Sequence, residues 1–72
     1  MVTSIYDNYK QLLFHIAYGI LLDRSLAEEA VQESLLHMSV HQKSLPNDPT
    51  YLKNYICLIT KYIAINMQKN RN

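Results

Sequence analysis

Of the side chains able to do chemistry, Glu33, His37 and His41 have the most suggestive spacing: each lies four residues from the next, so on a helix all three fall on one face. Three such groups can hold a transition-metal ion. Residue 38, however, is Met where a hydrolytic zinc helix requires Glu, so the metalloprotease pattern is missing and ordinary surface histidines are the simpler reading. Cys57 is the sole cysteine, which excludes an intrachain disulfide and a four-thiolate zinc site. A lone cysteine within an apolar helix usually serves packing. The sequence holds no glycine-rich phosphate loop, no nucleophile elbow and no carboxylate pair framed by pocket residues. It is expected to bind rather than catalyse, and no cofactor or metal is expected.

Two groups of residues fit binding. Glu29, Gln32, Glu33 and Leu36 lie on one side of a helix, with an apolar residue among acidic ones. Such a face suits a basic partner: charge steers the encounter and the leucine anchors it. The plainer alternative is a solvated acidic face. Tyr51, Tyr55 and Tyr62, with Lys53, Lys61, Lys69 and Arg71 around them, form the second group. Single-stranded nucleic acid is held by this combination, its bases stacking on rings while cations meet phosphates. Six of the seven aromatic residues are tyrosine, whose hydroxyl tolerates a wet interface. The alternative is that these rings pack against neighbouring helices.

The elements that position these residues follow from periodicity. Ile5, Tyr9, Leu12, Leu13, Ile16, Ala17, Ile20 and Leu21 predict a helix over about residues 4–22. Phe14, Tyr18 and Leu22 recur on its other side, so the helix is either buried on two sides, the favoured expectation for a central helix in a small bundle, or leaves an apolar strip for a partner. Ser25 and Glu28 form a predicted capping box that opens a second helix, reaching about residue 42. Its inward face reads Ala27, Ala30, Val31, Ser34, Leu35 and Met38. Residues 43–48 are expected to be a loop, after which Asp48 caps and Pro49 begins a third helix running to about residue 69. That helix has a predicted core stripe of Leu52, Ile56, Ile59, Ile63 and Met67. The fold class is therefore all-α, a small three-helix bundle with a long C-terminal helix.

Length and charge set the remaining bounds. Seventy-two residues make one domain, spanning 1–72, and such a length demands efficient helix packing. With 49% hydrophobic residues, one Gly and two Pro, long helices are favoured over turn-rich sheets. The apolar run from Leu12 to Leu22 is broken by His15 and falls short of the roughly 20 residues a membrane span needs. No secretory leader is read at the start, and a cytoplasmic location is expected. Residues 1–42 set Lys10 and Arg24 against Asp7, Asp23, Glu28, Glu29 and Glu33, a net charge of −3. Residues 43–72 set Lys43, Lys53, Lys61, Lys69 and Arg71 against Asp48, a net charge of +4. A chain split this way can offer an acidic face to a basic partner and a basic face to a polyanion, the plain alternative being a bundle whose charges balance internally.

Three segments, residues 6–18, 23–33 and 51–66, together resemble region 2 of the bacterial extracytoplasmic-function sigma factors. The most specific match is Ala27-Glu28-Glu29-Ala30-Val31-Gln32-Glu33, close to the family's acidic, Ala, Val, Gln, Glu signature. The resemblance implies a transcription-initiation module. Glu29, Gln32, Glu33 and Leu36 would bind the clamp coiled coil on the largest subunit of the RNA polymerase core. Leu45, Pro46, Asn47, Asp48, Tyr51, Tyr55, Lys61, Tyr62 and Lys69 would hold the melted non-template strand of promoter DNA at the minus-ten element. An anti-sigma factor is a further partner of such domains. Tyr55 stands where the family usually has Trp, Tyr62 replaces a common Asn, and Asn66 a common Asp. The tail is less basic than usual, so duplex binding is expected to be weak. The competing expectation is a sigma-like adaptor or decoy that binds polymerase or a regulatory protein without touching DNA.

Overall fold

The computed structural model describes residues 2–71, with side chains described from residue 9 to residue 70. Ile5 and Arg71 therefore lie outside the described side chains. The chain is all-helical: α1 (Val2–Leu21), α2 (Arg24–Val40) and α3 (Pro49–Arg71), with one 3-10 turn (Gln42–Ser44) between α2 and α3. Every helix packs on both others, giving the expected three-helix bundle with a long last helix.

The junction between α1 and α2 is only two residues long. Leu22 turns the chain with φ 54°, a left-handed conformation, while its N–H donates to the Tyr18 carbonyl at 2.8 Å. Asp23 follows in an extended conformation, and its Oδ1 accepts from the Leu26 N–H at 2.9 Å. The cap of α2 is thus Asp23 rather than the expected Ser25. A carboxylate complements the positive helix end more strongly than a hydroxyl, and the left-handed turn at Leu22 leads directly into the extended backbone a cap requires. Glu28 consequently caps nothing. It pairs loosely with Arg24, Nε to Oε1 at 3.7 Å, both side chains being exposed. At the start of α3 the expectation holds: Asp48 Oδ1 accepts from the N–H groups of Thr50 (2.8 Å) and Tyr51 (3.3 Å).

The core has two parts. Ala17, Leu21, Ala27, Ala30 and Ala64 form a small-residue cluster where the helices approach closely. Leu13, Val31, Met38 and Ile56 form a bulkier cluster, and Phe14 packs against both. The inward face expected of α2 is buried, except that Leu35 is half-buried. On α3 the expected stripe is rotated. The fully buried line is Ile56, Thr60 and Ala64, whereas Leu52, Ile59, Ile63 and Met67 flank it half-buried. Small residues take the centre because they allow the backbones to approach, and the larger ones close the sides. Thr60 lies inside because its hydroxyl donates to the Ile56 carbonyl at 3.0 Å, and Ser34 does the same to Ala30 at 2.8 Å. A polar atom satisfied by its own helix needs no partner across the core.

The second apolar side of α1 is not buried as expected. Phe14 is half-buried, but Tyr18 is 43% exposed and Leu22 75% exposed. Three helices enclose only one side of α1, so this strip is left facing outward.

Candidate nucleic-acid and protein interfaces

The acidic group is set by the geometry of α2. With the line through Ala27, Ala30, Val31, Ser34 and Met38 turned inward, Glu29, Gln32, Glu33 and Leu36 fall on the opposite side, and all four are exposed. Leu36 is 64% exposed. The structure adds a residue that the sequence reading missed: Val40, one turn beyond Leu36 and 70% exposed. Its signal was the i, i+4 repeat of the Leu36 and Val40 pair, obscured because α2 was expected to fade into a loop soon afterwards. The crest so formed separates two grooves. Glu29 and Glu33 also line the groove toward α3, opposite Ile63, Asn66, Met67 and Asn70, whereas Gln32 lines the one toward α1.

On α3 the aromatic group is only partly free. Tyr51 is 68% exposed and Tyr62 62% exposed, with Leu58 between them at 52%. Tyr55 is half-buried, its hydroxyl 3.2 Å from His37 Nε2 and the two rings 6.3 Å apart. It ties α3 to the end of α2, so the platform offers two open rings rather than three. Successive residues of an α-helix turn by 100°, which puts Tyr51, Tyr62 and Lys69 within a narrow arc. Lys69 is exposed on that arc, two turns beyond Tyr62. Lys61, also exposed, points about a quarter-turn to one side. No carboxylate occurs anywhere in α3, so nothing on this helix offsets its cations.

The loop residues divide by role. Asn47 is exposed and Pro46 half-buried. Leu45 is half-buried against the cluster of Leu13, Val31, Met38 and Ile56, and so contributes to the core. Asp48 is exposed, but its carboxylate is engaged by the first turn of α3.

His37 and His41 lie with ring centroids 4.5 Å apart, yet no three His, Cys, Asp or Glu side chains among the described residues gather in a group able to hold a metal ion. The Cys57 thiol is half-buried, and burial raises its pKa above the ordinary thiol value while Lys53 pulls the other way. A raised pKa leaves less thiolate at neutral pH, which is the opposite of an activated nucleophile. Among the described residues no helix is long and apolar enough to cross a membrane. Compared with protein-family models, with curated proteins and with solved structures, the chain finds no match.

Proposed function

We propose that this chain is a cytoplasmic sigma-region-2-like module of transcription initiation, acting by binding and not as an enzyme. It would bind a polymerase clamp through the crest of α2 and a melted promoter strand through α3. The observation that carries this reading is the placement of the sequence signature. Of the stretch resembling the family motif, Ala27, Ala30 and Val31 are spent on the core, while Glu29, Gln32 and Glu33 are left exposed with Leu36 beside them. A conformation-determining half and a partner-facing half therefore alternate in one short segment.

The test is a binding measurement with the clamp coiled coil of a bacterial polymerase largest subunit. Glu33→Lys should weaken binding at least tenfold, because it replaces an attractive charge with a repulsive one at a surface where charge guides association. Its circular dichroism spectrum and melting temperature should stay unchanged, Glu33 being exposed. Unaltered clamp binding by the variant would overturn the reading.

One observation favours a second reading, in which the module binds polymerase or a regulatory protein but not DNA. The half-burial of Tyr55 and its contact with His37 remove one ring from the stacking surface. Loss of clamp binding on Glu33→Lys, joined to an absence of single-strand binding by the unaltered chain, is the result that would select it.

A further inference from the structure

A groove of about 600 Å³ lies between α1 and α2. Phe14, Val31 and Leu35 give it an apolar floor, and Lys10, His15 and Arg24 stand around it. Lys10 and Arg24 are the only lysine or arginine residues in the first 42 positions, a stretch otherwise rich in carboxylates. Both cations of an acidic half thus converge on one groove. Among the described residues that line the groove the single carboxylate is Glu28, held by the exposed 3.7 Å pair with Arg24, an arrangement that leaves the arginine available.

Immediately beside this groove lies its complement. Gln32 lines the groove, and beyond Ser25 the residues that follow around α2 are Leu36, Glu29, Val40 and Glu33, two carboxylates among two exposed aliphatic side chains. The groove is apolar with cations at its edge. The crest is apolar with anions at its edge. When a surface and its complement adjoin on one molecule, a two-fold axis between them satisfies both at once, since each copy's crest meets the other's groove.

We propose that this chain self-associates as a two-fold dimer in which the Glu29, Glu33, Leu36 and Val40 crest of α2 lies in the Lys10, Arg24 and Phe14 groove of a second copy. Two general features point the same way. A formal net charge of +1 offers little repulsion between copies. A 72-residue bundle also has a small core of its own, and association is a common way to bury more apolar surface at this size. One consequence rests on the function proposed above: the dimer covers Glu29, Gln32, Glu33 and Leu36, so self-association and clamp binding exclude one another.

The experiment is sedimentation of the purified chain over a wide concentration range at low and high salt, with no polymerase present. The expected result is a concentration-dependent rise from 8.4 kDa toward twice that mass, weakened by salt. A groove variant, Lys10→Glu with Arg24→Glu, and a crest variant, Glu29→Lys with Glu33→Lys, should each be monomeric and retain the helical spectrum. Mixed together they should associate again, because the acidic groove of one meets the basic crest of the other while the unaltered surfaces also pair. If either reversed variant loses its helical spectrum, the corresponding Gln substitutions serve instead, and each should lower association at least tenfold. A monomer at every concentration would overturn the proposal. So would a dimer indifferent to both variants, or reversed variants that stay apart when mixed. Clamp binding is measured separately, so self-association can fail while the proposed function stands, and the reverse.

Discussion

Leu22 is the residue at which local chemistry and conformation disagree most plainly. It holds a left-handed backbone with φ 54°, and its side chain is 75% exposed, so no buried contact offsets the conformation. For an ordinary L-residue that conformation costs about 1–2 kcal/mol, and glycine is free of it. Leu22→Gly returns part of this gain as extra freedom of the unfolded chain, leaving a net stabilisation of about 0.5–1 kcal/mol. Thermal unfolding should then shift upward by a few degrees in a domain of this size. Leu22→Val, which branches at Cβ, should instead lower the midpoint. If the glycine variant melts lower than the parent, the conformation is not strained and this account is wrong. The exposed Leu22 side chain lies one turn from Tyr18, and nothing in the fold explains why the position is leucine rather than glycine or asparagine.

Between residue and fold stand the helix ends, where the sequence was readable in one case and misleading in the other. Asp48 followed by Pro49 was legible because both signals point to the same boundary. At α2, Ser25 and Glu28 fit a capping pattern, yet Asp23 takes the role. Pattern matching could not see that a two-residue turn fixes the helix start, and that turn depends on the left-handed Leu22. Asp23→Ala should therefore cost about 0.5–2 kcal/mol, with Ser25→Ala close to neutral. Equal effects of the two substitutions in urea unfolding would count against Asp23 as the sole cap. Gly19 gives a second element-scale test. It lies inside α1, exposed, and a Cβ there would meet nothing within 4 Å. Gly19→Ala should stabilise by about 1 kcal/mol, and a loss of stability on melting would contradict the open environment. The same limit explains the rotated stripe on α3. Periodicity marks the large residues, but the closest approach of helices selects small ones, so Thr60 and Ala64 were overlooked and Ile59 and Ile63 were placed too deep. Glu29, Gln32, Glu33 and Leu36 on the α2 crest were legible because an exposed face needs only the helical period, whereas Val40 was overlooked near the helix end. Tyr55 was not, since its contact with His37 is made across helices, 18 residues away in sequence.

At the scale of the whole molecule, charge and shape together decide what the proposed DNA surface can hold. Five of the six acidic residues fall within the first 42 positions, and the last 30 residues carry a net charge of +4. Duplex DNA is bound without sequence preference mainly through many phosphate contacts, and so few cations make that mode weak at physiological salt. A single strand adds stacking, at about 1–3 kcal/mol per base, and Tyr51 and Tyr62 are open for it. The proposed module should therefore prefer single strands, as measured by fluorescence anisotropy with one oligonucleotide presented as strand and as duplex. Equal affinity for the two forms would sink the proposal. Substitutions then separate the two contributions. Tyr62→Ala should cost about 1–3 kcal/mol of single-strand affinity and leave the dependence on salt almost unchanged, since a ring releases no counterions. Lys61→Ala or Lys69→Ala should weaken binding to every sequence and flatten the salt slope by at most about one phosphate contact. None of the three side chains belongs to the core, so all three variants should fold, and a loss of binding cannot be traced to unfolding. If Lys69→Ala acts more strongly than Lys61→Ala, the strand runs along the arc that Lys69 shares with Tyr51 and Tyr62. The reverse order would turn the strand toward the side of α3 that bears Lys61 and away from the crest of α2.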